Sequence, residues 1–244
     1  MEIRLKIIAF VLFLQAHDVY GIYGGDRAVL GQFKHSAVLW CNDIICCGGG
    51  LIDLSHVLTA AHCVADLTED DLVVMVGQVN VRLVMGQYLS AVSKIIIHPE
   101  YHLPLNDIAV LKLRDTFIQD DRVAPIGIPY TPIKDYTAKC EMSGWGSISA
   151  GVIRGPGFLK WAPFTLKTPE QCKRQRLEIA PNQVCAYDPF MEHGIAKGDS
   201  GNLLVCNNIA VAILSETPHR VGNGFYLMIY PYLGFINNAI RCVV

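Results

Sequence analysis

The sequence predicts an all-β protein, built either as a β-sandwich or as a pair of barrels. Three observations carry that prediction: short apolar runs bounded by Gly, Pro, Asn or Asp recur along the chain, 21 Gly and 12 Pro are dispersed through it, and helical periodicity is scarce. The 244 residues are enough for one large domain or two small ones. The pattern alone does not choose between the two architectures.

The predicted strands follow one another with little except turns between them. Two helices are expected, a C-terminal one in which Leu233, Ile236 and Ile240 share a face, and a weaker one over residues 169–176. Asn207 and Asn208 predict a tight hairpin turn, because asparagine tolerates the left-handed backbone that such turns need. The runs predicted as strands are residues 37–40, 72–76, 93–97, 108–113, 203–206, 209–214 and 225–229.

The first residues have the composition of a secretory signal peptide. Arg4 and Lys6 precede an apolar run over residues 7–14, and a more polar stretch follows. The run is far shorter than the ~20 residues that a membrane-spanning helix needs. We therefore predict a signal peptide over residues 1–21, or over 1–16 with a propeptide at 17–21, and a secreted, extracellular protein without a membrane anchor.

Charge and cysteine content narrow the function classes. Lys and Arg number 20 against 22 Asp and Glu, a net charge of −2 that does not fit a nucleic-acid-binding protein. Nine cysteines in a secreted chain indicate disulfides and leave at least one thiol over. No His/Cys cluster has zinc-ligand spacing, so we expect no metal, and no cofactor is implied.

Three short segments contain a histidine, an aspartate and a serine, in that order. His62 stands in LTAAHC, Asp107 in NDIAVL and Ser200 in GDSG. A serine hydroxyl becomes an effective nucleophile when a neutral imidazole takes its proton and a buried carboxylate fixes the tautomer of that imidazole. Each segment alone is more often a packed histidine, a turn or a loop, but together they supply all three groups.

These segments resemble the chymotrypsin-like (trypsin-fold) serine proteases over nearly everything after the leader. The resemblance implies two packed antiparallel six-stranded β-barrels with a C-terminal helix. Residues 22–244 would form the peptidase domain, with a first barrel over about 22–127 and a second over about 128–244. The other segments that carry the resemblance are IYGG at 22–25, CGGGLI at 47–52, SGWG at 143–146, LLVC at 203–206 and GFY at 224–226.

The resemblance implies a role for each residue of the site. His62 would act as general base and acid, Asp107 would orient it, and Ser200 would be the nucleophile. The backbone N–H groups of Gly198 and Ser200 would form the oxyanion hole that stabilises the negative charge of the reacting carbonyl oxygen.

Activation is implied in the same way. In the family an aspartate, here Asp199, is buried against the ammonium group of the freed N-terminus, here Ile22, because a buried charge is costly unless paired. Gly21 precedes Ile22 in place of Arg or Lys, so a trypsin-like activator is not expected. We hypothesise that signal peptidase releases Ile22 directly, and cleavage after Ala16 is the alternative.

The cysteines are assigned partly by resemblance. Cys41 and Cys46 are close enough in sequence to be bridged across a hairpin, which would leave Cys242 free. The bridges that the resemblance implies are Cys47 to Cys63, Cys140 to Cys206, and Cys172 to Cys185.

The substrate pocket is where the chain departs most from the family. Gly194 falls at the base of the primary pocket, where trypsin-like members carry an aspartate. Gly224 leaves the far wall open, and the edge strand reads Ser215-Glu216-Thr217 in place of Ser-Trp-Gly. Since Thr217 would narrow the entrance, the sequence predicts a preference for small or medium apolar side chains on the acyl side of the cut, as in elastase- or chymotrypsin-like members.

Two further departures lie beside the nucleophile. Asn202-Leu203 stands where the family usually has Gly-Pro, so a larger side chain must fit near the active loop. Ala196 replaces a cysteine, so the family's pocket disulfide is absent.

The function predicted is that of a secreted serine endopeptidase that acts through an acyl-enzyme. The alternative is a secreted, non-catalytic protease homologue that acts as a binding or regulatory protein. The presence of all three triad residues favours the enzyme. The partners expected are protein or peptide substrates and macromolecular protease inhibitors, with no nucleic acid, and the chain is expected to be a monomer.

Overall fold

A computed structural model describes residues 22, 24–146, 157–174, 179–188, 190, 192–196, 198–216 and 223–241. The predicted signal peptide, Thr217 and Cys242 lie outside the described residues.

The first barrel is a closed antiparallel sheet with the strand order β2-β3-β4-β7-β6-β5. Its strands are rich in β-branched and large apolar residues, and side chains such as Leu39, Val74 and Leu111 are fully buried inside it. A short strand, β1 (Asp26–Arg27), precedes it, and its own strands are β2 (Ser36–Cys41), β3 (Ile44–Asp53), β4 (His56–Thr59), β5 (Leu72–Val76), β6 (Leu89–Ile97) and β7 (Ala109–Leu113).

The second barrel also has six antiparallel strands around its own core, which includes Met142, Phe164 and Tyr226. Its elements are β8 (Lys139–Gly144), β9 (Lys160–Lys167), the helix α1 (Pro169–Arg174), β10 (Gln183–Tyr187), β11 (Leu203–Cys206), β12 (Ile209–Glu216), β13 (Asn223–Met228) and the C-terminal helix α2 (Leu233–Arg241). The order is β9-β10-β13-β12-β11-β8, and pairing of β8 with β9 closes the sheet. The predicted pair of six-stranded barrels is confirmed.

The two ends of the described chain cross between the barrels. Ile22 is buried in the core of the second barrel, and β1 pairs with β9 of that barrel. At the other end, Ile236 and Ala239 on the inner face of α2 join the core that includes the first barrel, and α2 contacts β7. Each end therefore ties one barrel to the other.

Every run predicted as a strand overlaps an observed strand. The hairpin turn is confirmed, since Asn207 and Asn208 have φ values of 51° and 61° between β11 and β12. Both predicted helices are present as α1 and α2. The strands β1, β3, β4, β8, β9 and β10 were not predicted. β3 carries three consecutive glycines and β9 carries Pro163, which both lower strand propensity, and β8 alternates polar and apolar residues but includes Lys139, Glu141 and Gly144, which are uncommon in strands.

Four disulfides cross-link the described chain. One staples the β2–β3 hairpin and a second ties β3 to the short 3-10 helix after β4, whereas the other two lie in the second barrel. The pairs are Cys41–Cys46, Cys47–Cys63, Cys140–Cys206 and Cys172–Cys185, and they join the residues that the sequence analysis paired.

Candidate active site

A buried carboxylate, Asp107, is hydrogen-bonded to the partly exposed His62 at one end of the first barrel. The Asp107 carboxylate is fully buried, and His62 Nδ1 lies 2.7 Å from its Oδ2. The backbone N–H of His62 donates to Oδ1 of the same carboxylate, at 2.8 Å. Because an ionised carboxylate only accepts, Nδ1 carries the proton of the neutral imidazole, and Nε2 is left with a free lone pair.

Neighbouring strand ends bring these two side chains together. His62 lies in a one-turn 3-10 helix, Ala61–Cys63, which follows β4, and Asp107 lies just before β7. β4 and β7 are paired, with Thr59 opposite Ala109, so the end of one strand and the start of the other lie side by side. The pair is thus built into the sheet register of the first barrel.

Ser215 has a role that the sequence analysis did not give it. Predicted as a pocket residue, it is buried at the end of β12, and its Oγ donates to Asp107 Oδ2 at 2.5 Å. Asp107 therefore accepts hydrogen bonds from both barrels. Nothing in the spacing of Ser215 from Asp107, 108 residues apart, could have shown this contact.

Ser200 lies in the loop before β11, on the second barrel. The loop is pressed against the first barrel, where the Gly48 N–H donates to the Ser200 carbonyl oxygen at 2.8 Å. A Cβ on Gly201, whose φ is +84°, would overlap Thr59 Oγ1 and the Gly48 carbonyl oxygen. The close approach requires glycine there, and it carries Ser200 to the edge of the first barrel from which the His62 segment leaves.

The Ser200 hydroxyl and the His62 imidazole do not form a hydrogen bond with each other in the described part of the chain. His62 Nε2 lies 3.7 Å from Cys63 Sγ, and within the described part of the chain no hydrogen bond joins it to Ser200 Oγ. In proteins without bound substrate such catalytic hydrogen bonds are often long, and they tighten in the complex.

Gly198 and Asp199 shape the loop that leads to Ser200. Gly198 has a φ of +90°, a left-handed conformation that side chains rarely adopt. Asp199 is fully buried and accepts two backbone hydrogen bonds, from Ala196 N–H at 2.9 Å and from Gly146 N–H at 2.8 Å. Burial outweighs these bonds and raises the pKa of Asp199 to about 7. Any group that placed a positive charge beside this carboxylate would lower that pKa.

One of the predicted pocket glycines, Gly224, lies against apolar side chains. Gly194 is buried, and a Cβ on Gly224 would overlap Ile195 Cδ1 and lie 3.1 Å from Leu214 Cδ1. Ile195 therefore occupies the room that Gly224 leaves, a contact that the sequence analysis did not anticipate. Glu216 is partly exposed at the end of β12.

Comparison with known proteins places the chain among proteases. A family model described as Trypsin matches residues 22–236. The chain belongs to the trypsin family. It is 30% identical to mouse cathepsin G, over 99% of this chain and 93% of that protein, and 31% identical to mouse granzyme F, over 80% and 79%.

The fold comparison agrees with the family. The structure of mouse neuropsin, described as a serine protease of the limbic system, superposes with a TM-score of 0.76 at 25% identity, over 89% of this chain and 99% of that one. The assignment of the chain to serine-type endopeptidases is thereby confirmed at the level of the trypsin family.

Three glycines make room for the two residues at which this trypsin-family chain departs beside the nucleophile. A Cβ on Gly48 would overlap Asn202, and a Cβ on Gly144 would lie 2.7 Å from Asn202 Nδ2. A Cβ on Gly50 would likewise overlap Leu203 Cδ1. The bulk that Asn202 and Leu203 add is accommodated by side chains missing from the facing strands β3 and β8.

One group of potential metal ligands lies at the site. Sulfur and nitrogen atoms of Cys47, His62 and Cys63 lie within 4.8 Å of one another. The two sulfurs are bonded to each other, so neither is a thiolate that could bind a metal ion.

None of the helices in the described part of the chain is both long enough and apolar enough to cross a bilayer.

Proposed function

We propose that this trypsin-family chain is a secreted serine endopeptidase that cleaves peptide bonds with His62, Asp107 and Ser200. The observation that carries the proposal is the 2.7 Å contact between His62 Nδ1 and the buried Asp107 carboxylate. It leaves Nε2 unprotonated in the neutral imidazole, which is the state that can accept a proton from a serine hydroxyl.

The reaction proceeds by acyl transfer. When substrate brings Ser200 Oγ within reach of His62 Nε2, the imidazole takes the hydroxyl proton as the oxygen attacks the scissile carbonyl carbon. The backbone N–H groups of Gly198 and Ser200 stabilise the resulting oxyanion. The imidazolium then protonates the leaving amine, and water, activated by the same imidazole, hydrolyses the acyl-enzyme.

Asp107 stabilises the imidazolium while it exists. Its carboxylate is fully buried and is fixed by the His62 backbone N–H and by Ser215 Oγ, so it needs no reorganisation when the positive charge forms. Ser215 is thus a support for Asp107 in addition to its place beside the pocket.

Processing at Ile22 sets the oxyanion hole in this proposal. The freed ammonium group of Ile22 pairs with Asp199 and favours the charged carboxylate, which otherwise lies in an environment that raises its pKa to about 7. Ile22 itself is already buried in the core of the second barrel. Sequencing of the secreted protein tests release at this residue: a start at Ile22 supports it, and a start at His17 contradicts it.

The primary specificity proposed is for small or medium apolar side chains. Gly194 brings no charge to the base of the pocket, and Ile195 fills the space beside Gly224. Burial of an apolar side chain is worth ~1.5 to 3 kcal/mol. An exposed ion pair with the partly exposed Glu216 would be worth only ~0 to 1 kcal/mol. Matched peptides that differ only at this position should be cut faster with Ala, Val or Leu than with Arg or Lys, and the reverse order would contradict the pocket assignment.

Hydrolysis of a peptide library by the protein that starts at Ile22 tests the enzymatic function. Wild type should cut, whereas Ser200→Ala and His62→Ala should not cut although both remain folded. The non-catalytic alternative predicts that wild type and both variants are equally inactive. Protein and peptide substrates and macromolecular protease inhibitors are the partners that this function implies, for an extracellular monomer.

A further inference from the structure

Asp199 lacks a cationic side-chain partner among the residues that the structure describes. Among the described residues, its two carboxylate oxygens accept hydrogen bonds from the backbone N–H groups of Gly146 and Ala196 and from no other group. Each oxygen of an ionised carboxylate can accept a second hydrogen bond. The loop that carries Ser200 is therefore built around a buried acid whose hydrogen-bonding capacity is half used.

Asn202 is the polar side chain that lies beside this acid. It is 2% exposed, and its Nδ2 is buried without a hydrogen-bond partner in the described chain. A buried amide N–H without an acceptor costs about 1 to 3 kcal/mol, so an asparagine in such a place needs a reason.

Gly144 shows how close the two groups are. A Cβ placed on Gly144 would overlap Asp199 Oδ1 and would lie 2.7 Å from Asn202 Nδ2. The unpartnered donor and the carboxylate oxygen thus border the same small space. The Asn202 backbone N–H also donates to the Asp199 carbonyl oxygen at 3.1 Å, which fixes the two residues relative to each other.

We propose that Asn202 is a positioning residue whose side-chain amide donates to the Asp199 carboxylate. This hydrogen bond holds residues 198–200, which would supply the backbone N–H groups of the oxyanion hole, in their active shape without the Ile22 ammonium group. The inference rests on the proposed catalytic function of Ser200. A small rotation about the side-chain bonds of Asn202 turns Nδ2 toward Asp199 across the space over Gly144. The donor is resident in the loop, so it acts before and after the N-terminus is freed.

This role has a consequence for activation. A chain with extra residues before Ile22 keeps a partner for Asp199, so its Ser200 site stays partly assembled. In a chain that starts at Ile22 the ammonium group supports the same carboxylate, and Asn202 contributes less. The effect of removing Asn202 therefore depends on the state of the N-terminus.

The test compares labelling of Ser200 by a fluorophosphonate probe in chains that start at Ile22 or at Gly21, each as wild type, Asn202→Ala and Asn202→Asp. The Gly21 form places its ammonium group one residue too early. Loss of a hydrogen bond to a charged group costs about 1.5 to 3 kcal/mol, so Asn202→Ala should slow labelling of the Gly21 form about 10- to 100-fold. The Ile22 form should lose less than about threefold, because the ammonium group still pairs with Asp199. Asn202→Asp keeps the shape and loses the donor, so it should behave like Asn202→Ala or worse.

Leu203→Ala is the matched control, since it removes a neighbouring buried side chain without a polar atom. It should slow labelling by the same factor in both forms. If Asn202→Ala, like Leu203→Ala, slowed labelling by the same factor in the Gly21 form as in the Ile22 form, Asn202 would only fill space, and the inference would be overturned while the catalytic proposal stands. A wild type that starts at Ile22 and is not labelled would contradict the catalytic proposal, and this inference with it.

Discussion

At the scale of single residues, the site depends on one buried carboxylate that is held from both barrels. Asp107 accepts from the His62 side chain, the His62 backbone and Ser215 Oγ. His62 and Asp107 could be selected from the sequence because each stands in a segment typical of the family. Ser215 could be placed near the site in the same way, but its bond to Asp107 depends on how the two barrels pack, which no local pattern records.

The charge on Asp107 is expected to be essential for turnover. Asp107→Asn keeps the shape, but its amide N–H facing His62 would favour the tautomer that has the proton on Nε2. We expect kcat/KM to fall by roughly 10³- to 10⁴-fold with little change in the thermal unfolding temperature. Asp135→Asn, a change at an exposed aspartate remote from the site, should leave kcat/KM unchanged. A loss below tenfold for Asp107→Asn would contradict the assigned role.

Asp199 gives a prediction for stability against pH. In a chain with residues before Ile22 its pKa is raised to about 7, above the ordinary aspartate value of 3.8, so the folded state binds the proton more tightly than the unfolded state. That contribution to the free energy of unfolding is fully present below about pH 4 and is lost as the pH rises to about 7. With the Ile22 ammonium paired to Asp199, this loss should disappear.

Urea unfolding of the Gly21 and Ile22 forms at pH 4.5 and pH 7 measures the effect, since the α-amino group that distinguishes the two forms is mostly protonated at both pH values. The stability advantage of the Ile22 form should grow with pH, by an amount on the order of 4 kcal/mol at most. Asp199→Asn should abolish the growth. An advantage that stays constant or shrinks between the two pH values would contradict the pairing of Ile22 with Asp199.

At the scale of secondary-structure elements, the glycines of β3 set how closely the nucleophile loop can approach. Gly48 faces Asn202, Gly50 faces Leu203, and Gly201 touches the Gly48 carbonyl oxygen in return. In the sequence the bulk at positions 202 and 203 is a departure from the family, whereas the glycines at 48–50 belong to a segment that resembles it. Their connection depends on contact between strands of different barrels, so only the structure shows that one compensates for the other.

Strand prediction failed for the same kind of reason. β3 was not predicted as a strand, and its three glycines lower its strand propensity, but it pairs with β2 on one side and β4 on the other in the first barrel. Because its glycines have no side chains, β3 leaves room here for Asn202 and Leu203 of the second barrel. Tertiary packing thus overrides local propensity at a strand that contacts the Ser200 loop.

Filling this space should destabilise the protein. Gly50→Ala would force Leu203 to move, and overpacking of this kind costs typically ~1 to 3 kcal/mol in the free energy of unfolding. Combining it with Leu203→Ala should recover part of that loss in urea unfolding. Gly86→Ala is the control, because a Cβ there has nothing within 4 Å. Equal stabilities for Gly50→Ala and Gly86→Ala would show that the contact is not tight.

At the scale of the whole molecule, the site exists only because the two barrels are fixed against each other. The Tyr232 hydroxyl, just before α2, donates to Asn106 Oδ1 at 2.9 Å, next to Asp107. Ile22, the first of the described residues, and the C-terminal helix α2 cross in opposite directions and join the cores. The pair of barrels could be inferred from the sequence through resemblance alone, because periodicity left a sandwich equally open.

The proposed function requires that His62 and Asp107 of the first barrel and Ser200 of the second form one working site. Reaction with a fluorophosphonate probe, followed by peptide mapping, tests it most directly, since only an activated serine reacts. One adduct per chain, on Ser200, is expected for protein that starts at Ile22, and none for folded His62→Ala. An unmodified wild type, or an adduct that forms equally well without His62, would contradict it.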